Sequence, residues 1–120
     1  MVRALGLAAA AGGAMLAASF SVQYAHARPS MSRGEQFLNI NENVCLQRGR
    51  AAFGAAGWVD IASQATWVRG HKDGFASYIC CNAAARGGVV VNIFVGYDGS
   101  DPAGSLAGAE RERLQREMER

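Results

Sequence analysis

Residues 41–58 read NENVCLQRGRAAFGAAGW, and this stretch decides the fold because it encodes one helix together with both of its ends. Asn41 is a suitable N-cap, since its side-chain oxygen can accept a hydrogen bond from a backbone N–H of the first turn. Cys45, Ala52 and Ala56 recur at the spacing of one helical face. The stretch therefore predicts a helix over about residues 41–56, with a face of small residues that can lie close to a sheet.

The end of this helix is encoded by Gly57 and Trp58. Glycine is common where a chain leaves a helix in a left-handed conformation, and an apolar residue after it often packs back on the last turns. We therefore expect Gly57 to end the helix and Trp58 to contact Phe53.

After Trp58 the apolar period changes from about 3.6 to about 2, which indicates strands. The strongest strand is predicted at residues 89–95 (VVVNIFV), whose four valines and one isoleucine are typical of a central, buried position. The other predicted segments are residues 58–62 and 65–69 (two short strands or one broken strand), 70–74 (a hairpin turn), 75–81 (an alternating strand) and 82–88 (a polar break).

A second helix is predicted near the end of the chain. Asp101 can cap it, and Pro102 can occupy its first position, where a missing N–H costs nothing. The elements together predict one α+β domain over residues 41–120: a two-layer α/β sandwich in the order helix, antiparallel meander of three to four strands, helix. The predicted buried edge of the second helix consists of Ala103, Leu106, Ala107, Glu110, Leu114 and Met118.

Residues 1–27 have the layout of a secretory signal peptide, with a basic start and an uncharged stretch over residues 4–22. Ala25 and Ala27 place small residues where a signal peptidase requires them. We therefore predict cleavage after Ala27, a flexible lead-in over residues 28–40, and a periplasmic or secreted protein. An uncleaved N-terminal anchor is the alternative, and only in that case do we expect attachment to a membrane.

The chain has three cysteines, so an exported form can hold one disulfide and one leftover thiol. Cys45 lies on the predicted core face of the first helix. Cys81 shares a strand face with Phe75 and Ile79, whereas Cys80 points to the other face. If the helices cover the Phe75 and Ile79 face, Cys45 pairs with Cys81. A Cys45–Cys80 pair is the alternative, and a bridge between the neighbours Cys80 and Cys81 would be strained.

The leftover thiol, Cys80 in the favoured pairing, has three interpretations. It is a small apolar strand residue, or it forms an intermolecular disulfide that links two chains, or it takes part in thiol-redox or soft-metal chemistry with Cys81 and His71. Metal binding is weakly indicated, because neighbouring strand residues point to opposite faces and no C-x-x-C motif or further histidine after residue 27 completes a site.

The residues needed for catalysis are missing from the pattern. His71 lies beside Asp73 in the predicted turn, which favours a solvated pair over a catalytic base. Asp98 and Asp101 lack the ladder of oxygen ligands of a calcium loop. Lys and Arg number 12 against 10 Asp and Glu, without a basic run interleaved with aromatic residues, so nucleic-acid binding has no electrostatic footprint. We predict no catalytic residue, no metal and no cofactor.

Several short motifs occur in a fixed order: Cys45 opening an alanine-rich helix, the run Ala55-Ala56-Gly57-Trp58, a hairpin ending in Ile79-Cys80-Cys81, a hydrophobic strand into Gly96 and an acid-capped final helix. The order resembles a group of small exported bacterial proteins of uncharacterised function, in which one helix cysteine and one strand cysteine are similarly spaced. The resemblance implies an exported α/β domain with one disulfide and supplies no activity. The doubled cysteine departs from the pattern.

A foldable core without catalytic residues predicts a non-catalytic binding or interaction module. Its partner is expected to be an envelope protein, a peptide or a small ligand, held on the strand face that carries Ala76, Tyr78 and Cys80. Trp67 is the other candidate for this binding surface. The alternative hypothesis is thiol-redox or soft-metal chemistry at Cys80 and Cys81.

Overall fold

Two helices cover one face of a five-stranded antiparallel sheet in the computed structural model, which describes residues 29–120. The predicted signal peptide and its cleavage site lie outside the described residues. Within residues 29–120, no helix is both long and apolar enough to cross a membrane. The strands lie side by side in the order β1-β5-β4-β3-β2. The elements are β1 (Ser30–Leu38), α1 (Glu42–Ala55), β2 (Val59–Gln64), β3 (Trp67–Lys72), β4 (Phe75–Ala83), β5 (Val89–Tyr97) and α2 (Ser105–Met118).

Both ends of α1 are built as the sequence predicts. Asn41 Oδ1 accepts a hydrogen bond of 2.9 Å from the backbone N–H of Val44. Gly57 has φ +81°, and the N–H of Trp58 donates to the carbonyl of Phe53 at 2.9 Å. These bonds satisfy backbone groups that a helix end otherwise leaves free. The rings of Phe53 and Trp58 lie 5.2 Å apart, so the predicted contact is confirmed.

The core lies between the helices and one face of the sheet, which confirms the two-layer sandwich. Alternate residues of β5 face the helices and are fully buried, as are Ile79 and Cys81 on β4. The helices contribute small and apolar side chains to the same layer. The fully or nearly buried core residues are Cys45, Ala52, Phe53, Ala56, Trp58, Val68, Ile79, Cys81, Val89, Val91, Ile93, Val95, Ala107, Leu114 and Met118.

The predicted lead-in over residues 28–40 is wrong where β1 forms, and the sheet has five strands rather than three to four. Over nine residues, β1 pairs with β5 from Ser30 opposite Tyr97 to Leu38 opposite Val89. Its helix-facing residues are largely polar or glycine. Gly34 among them lies beneath the side chains of Arg111 and Gln115. A strand without an apolar face lacks the alternation that sequence analysis detects.

The predicted hairpin turn over residues 70–74 is also shorter than expected. Gly70, His71 and Lys72 belong to β3, and only Asp73 and Gly74 connect β3 with β4. Asp73 has φ +36° and Gly74 has φ +84°. Positive φ at both central residues defines the tight two-residue turn that matches strand twist. His71 is therefore a strand residue.

The second helix begins later than predicted, at Ser105 rather than at Pro102. Asp101 nevertheless caps it from outside, because its carboxylate accepts hydrogen bonds from the backbone N–H groups of Leu106 at 3.2 Å and Ala107 at 3.1 Å. The residue directly before the helix is Gly104, with φ +71°. The prediction of Asp101 as a capping group is thus confirmed, and the position assigned to Pro102 is wrong.

Candidate functional site

The cysteines divide between the two faces of the sheet. Cys45 of α1 and Cys81 of β4 form a disulfide, with Cα atoms 6.1 Å apart, and both residues are fully buried. The pairing confirms the favoured prediction, and the alternatives Cys45–Cys80 and Cys80–Cys81 are wrong. Cys80 is the free cysteine and lies on the opposite face of β4. The disulfide fastens α1 to the middle of the sheet.

We call the side of the sheet that the helices leave uncovered the open face. The strand register places its side chains in rows that cross all five strands. The two central rows mix aromatic, polar and charged residues, and they include both predicted surface residues, Trp67 and Tyr78. One row is Arg33, Phe94, Tyr78, Arg69 and Ala62, and the next is Glu35, Asn92, Cys80, Trp67 and Gln64.

Trp67 and Tyr78 lie in contact near the centre of the open face. They are diagonal neighbours on β3 and β4, and their rings meet edge to face with centroids 5.3 Å apart. Aromatic pairs prefer this geometry because the positive ring edge meets the negative ring face. Tyr78 is 44% exposed although it lies mid-strand. Both residues are predicted surface residues, and the fold brings them together.

Trp67 and Tyr78 belong to a cluster of open-face side chains that also includes Arg33 and Phe94, which lie in the same row as Tyr78. The sequence does not predict these two further members. The guanidinium of Arg33 lies 5.7 Å from the ring centroid of Phe94 and donates a hydrogen bond of 3.2 Å to Asn92 Oδ1. It also lies 3.6 Å from the carboxylate of Glu35. Arg33 could not be recognised as a surface residue of the sheet, because the sequence of β1 lacks the pattern of a strand. Phe94 could have been found, since it alternates with the buried residues of β5.

Cys80 lies in the same cluster, opposite Trp67 on β3 and Asn92 on β5. It is half-buried, and this burial raises the pKa of its thiol. A thiol with a raised pKa is less often a thiolate, which is the reactive form and the metal-binding form. Cys81 is bonded to Cys45 on the other side of the sheet, and residues 29–120 contain no group of three or more metal-ligating side chains. The geometry thus gives no support to joint chemistry at Cys80 and Cys81.

His71 lies in a third row of the open face, next to a shallow pocket at one end of the sheet. The pocket has a volume of about 580 Å³. Gly96 and Ala76 form part of its lining, and the longer side chains of Met31 and Val59 stand at the ends of the same row. His71 is exposed on β3. The pocket extends the open face toward the Asp73-Gly74 turn.

Comparison with known proteins gives no relative from which an activity could be transferred: no family model matches the chain, and no curated protein sequence matches it. The resemblance to small exported bacterial proteins therefore remains a prediction.

Proposed function

We propose that this protein is an exported, non-catalytic binding domain that holds a partner protein on its open face. The observation that carries the proposal is the row Arg33, Phe94, Tyr78, Arg69 with Trp67 beside it, on a sheet face that no helix of residues 29–120 covers. These are aromatic and arginine side chains grouped at the centre of a broad surface. A sheet face that is exposed only to water would be expected to carry mainly polar and charged side chains.

A protein partner fits this composition better than a small ligand does. Tryptophan, tyrosine and arginine are the residues that dominate the energetics of protein interfaces, and they cluster near interface centres. Aromatic residues are enriched there because a rigid ring buries a large area at low entropic cost. Trp67 and Tyr78 have this position on the open face, and Phe94 continues the patch toward β1.

Charge favours an acidic surface on the partner. The two central rows hold two guanidinium groups, Arg33 and Arg69, and one carboxylate, Glu35. Arg33 is already engaged by Glu35 and Asn92. Arg69 is exposed and has no hydrogen-bond or ion-pair partner within the described part of the chain. A carboxylate of the partner would pair with it in a charge-assisted hydrogen bond.

Export is the second part of the proposal. Disulfides persist in oxidising compartments such as the periplasm and the extracellular space, and the buried Cys45–Cys81 bond suits such a compartment. The signal-peptide pattern of residues 1–27 supports the same location. The partner is therefore sought among envelope or secreted proteins.

The proposal is tested by site-specific photo-crosslinking in the cells that produce the protein. A photoreactive phenylalanine derivative replaces Tyr78 in one variant and Ala51, an exposed residue of α1 on the opposite layer, in the control. We expect one acidic protein to be linked through position 78 and not through position 51. The identified protein is then purified and titrated against the unmodified domain and against Arg69→Gln.

Arg69→Gln should weaken this binding by about tenfold, because a charged hydrogen bond at an interface centre is lost. Added salt should weaken the binding of the unmodified domain more than that of Arg69→Gln. The proposal is overturned by no adduct at position 78, by the same adduct at position 51, or by binding that Arg69→Gln leaves unchanged. An adduct of Tyr78 with a second copy of this chain would also overturn it.

A further inference from the structure

The first strand, β1, forms one edge of the sheet. It pairs with β5 on one side, and no strand of residues 29–120 lies along its other side. The edge is nine residues long and regular in register. Exposed edges of this length offer unpaired N–H and C=O groups to any other strand, and proteins usually shorten, twist or cover them. An edge that is left long and regular is suited to pairing.

The residues of β1 are complementary to the same residues read backwards. Residues 31–37 read MSRGEQF, with Gly34 at the centre. In an antiparallel pair of two copies centred on Gly34, Arg33 of each copy lies opposite Glu35 of the other. Met31 of each copy lies opposite Phe37 of the other. Opposite charges and apolar pairs at facing positions stabilise antiparallel strands, whereas like charges destabilise them.

The apolar pair would also remove an unusual exposure. Met31 is 73% exposed and Phe37 is 59% exposed, although both belong to a regular strand. Both lie on the open face, on the same side as Arg33 and Glu35. The pairing would bring each Met31 against a Phe37 at two symmetric positions. Both apolar side chains would thereby be partly withdrawn from water.

The backbone geometry permits this register. In this register, facing residues are either both odd-numbered or both even-numbered. Residues whose N–H and C=O groups point outward from a strand are also alternate residues, so the outward groups of one copy meet the outward groups of the other. The two-fold axis then runs perpendicular to the sheet, and both open faces point the same way. Such self-pairing uses identical surfaces on both copies and closes at two chains.

The helical layer leaves room for the second copy. Helix α2 packs on β1 and β5, with Arg111 Nε donating to Ser32 Oγ at 3.1 Å and Gln36 Nε2 donating to the carbonyl of Gln115 at 3.4 Å. Two copies of α2 would lie about two strand spacings apart, roughly 10 Å, which is an ordinary distance between packed helices. Along this edge the helical layer carries Arg111 and Gln115 of α2 and Glu119 directly after it, so both signs of charge are present.

We propose that two copies of this chain pair through β1, antiparallel and centred on Gly34, to form a symmetric dimer with one continuous ten-stranded sheet. The dimer joins the two open faces into one surface. It needs no disulfide, because Cys80 lies on β4, which is separated from the edge by β5.

The test measures molar mass by sedimentation from micromolar to near-millimolar concentration. It uses the protein as the cell processes it, with the Cys45–Cys81 disulfide intact and Cys80→Ser introduced to exclude disulfide-linked dimers. Glu35→Arg places like charges opposite each other at two symmetric positions and should weaken the dimer by about tenfold or more. The double variant Arg33→Glu/Glu35→Arg restores opposite charges and should restore the dimer.

Arg69→Glu is the matched control, since it changes a charge of the open face on β3, away from the β1 edge, and should leave the dimer unchanged. The inference is overturned if the protein remains monomeric throughout the concentration range. It is also overturned if Glu35→Arg dimerises as strongly as the parent, or if the double variant stays as weak as Glu35→Arg. These measurements need no partner protein, so their outcome is independent of the proposed binding function.

Discussion

The ring of Phe53 lies directly over Gly70, with its Cδ1 atom 3.0 Å from the point where a Cβ of residue 70 would stand. Phe53 is fully buried in the last turns of α1, and Gly70 is a mid-strand residue of β3. The absence of a side chain at position 70 is therefore what lets the aromatic ring rest on the sheet. The backbone of Gly70 needs no positive φ, so contact alone explains the glycine.

Gly70→Ala should destabilise the domain by about 1–3 kcal/mol, since a rigid, close-packed ring has to move to admit the methyl group. Chemical denaturation of the purified protein measures this. Gly54→Ala is the matched control, because position 54 lies on the same helix as Phe53 with no atom within 4 Å of its Cβ position. That substitution should stabilise the domain by about 0.5–1 kcal/mol through helix propensity. Equal effects at the two positions would contradict the packing argument.

Removal of the disulfide by the double substitution Cys45→Ala/Cys81→Ala should cost about 4 kcal/mol of unfolding free energy. The bond closes a loop with a sequence separation of 36, and opening it restores the entropy of the unfolded chain. Denaturation curves of the double variant and the parent give the difference. Cys80→Ser should change stability by about 0.5 kcal/mol or less, because Cys80 lies outside the core. A comparable loss for Cys80→Ser would contradict the placement of Cys80 outside the core.

Asp101 should make stability depend on pH in acid. Its hydrogen bond from Ser30, followed by those from the backbone of Ala107 and Leu106 and from Ser105, holds the pKa of this carboxyl below its ordinary value. A lowered pKa in the folded state means that the unfolded state binds the proton more readily. The stabilisation is complete above the ordinary aspartate pKa of about 3.9 and is lost as the pH falls through the lower folded value.

The melting temperature of the parent should therefore fall more steeply below about pH 4 than that of Asp101→Asn, which cannot titrate. Thermal unfolding at a series of pH values compares the two proteins. At neutral pH the variant should be less stable than the parent, because an amide accepts hydrogen bonds less strongly than a carboxylate. Parallel pH profiles of the two proteins would exclude Asp101 as the source of the loss of stability in acid.

The Cys80 thiol should react slowly in the folded protein. Burial raises its pKa, so less thiolate is present at neutral pH. Its alkylation by iodoacetamide, followed by mass spectrometry, should be several-fold slower than in the same protein unfolded in guanidinium chloride with the disulfide intact. The rate should rise with pH well into the alkaline range. A folded-state rate above the unfolded-state rate would instead indicate an activated thiol.

The sequence predicted the parts of this fold whose residues carry two consistent signals. For α1, a capping asparagine, a helical stripe and a terminal glycine all agreed, and its bounds were right to within one residue at each end. The Cys45–Cys81 pair followed from the two periodicities, because each placed its cysteine on a core-facing side. The strand at residues 89–95 followed from its β-branched side chains, which are buried on alternate positions.

The sequence failed where tertiary contacts replace local signals. Ser32, Gly34 and Gln36 face the helical layer on β1, and they are held by Arg111 and Gln115 rather than by apolar burial. Because the helix-facing side of β1 is largely polar, its sequence predicts a flexible lead-in, and the predicted binding surface therefore omits Met31, Arg33 and Phe37. Pro102 is a residue that often occupies the first position of a helix, so the sequence places the start of α2 there. In the structure the helix begins at Ser105, and Asp101 reaches it across residues 102–104.

The one-sided covering of the sheet has a consequence for how this protein can change. Along β4, Ser77, Ile79 and Cys81 belong to the core, while Tyr78 and Cys80 between them belong to the open face. Residues that determine folding and residues that determine the surface thus alternate along the same strand. Mutations can remodel the open face one residue at a time without disturbing the interior. The domain is accordingly a scaffold whose exposed surface can diversify, in nature or by directed selection, while its architecture stays constant.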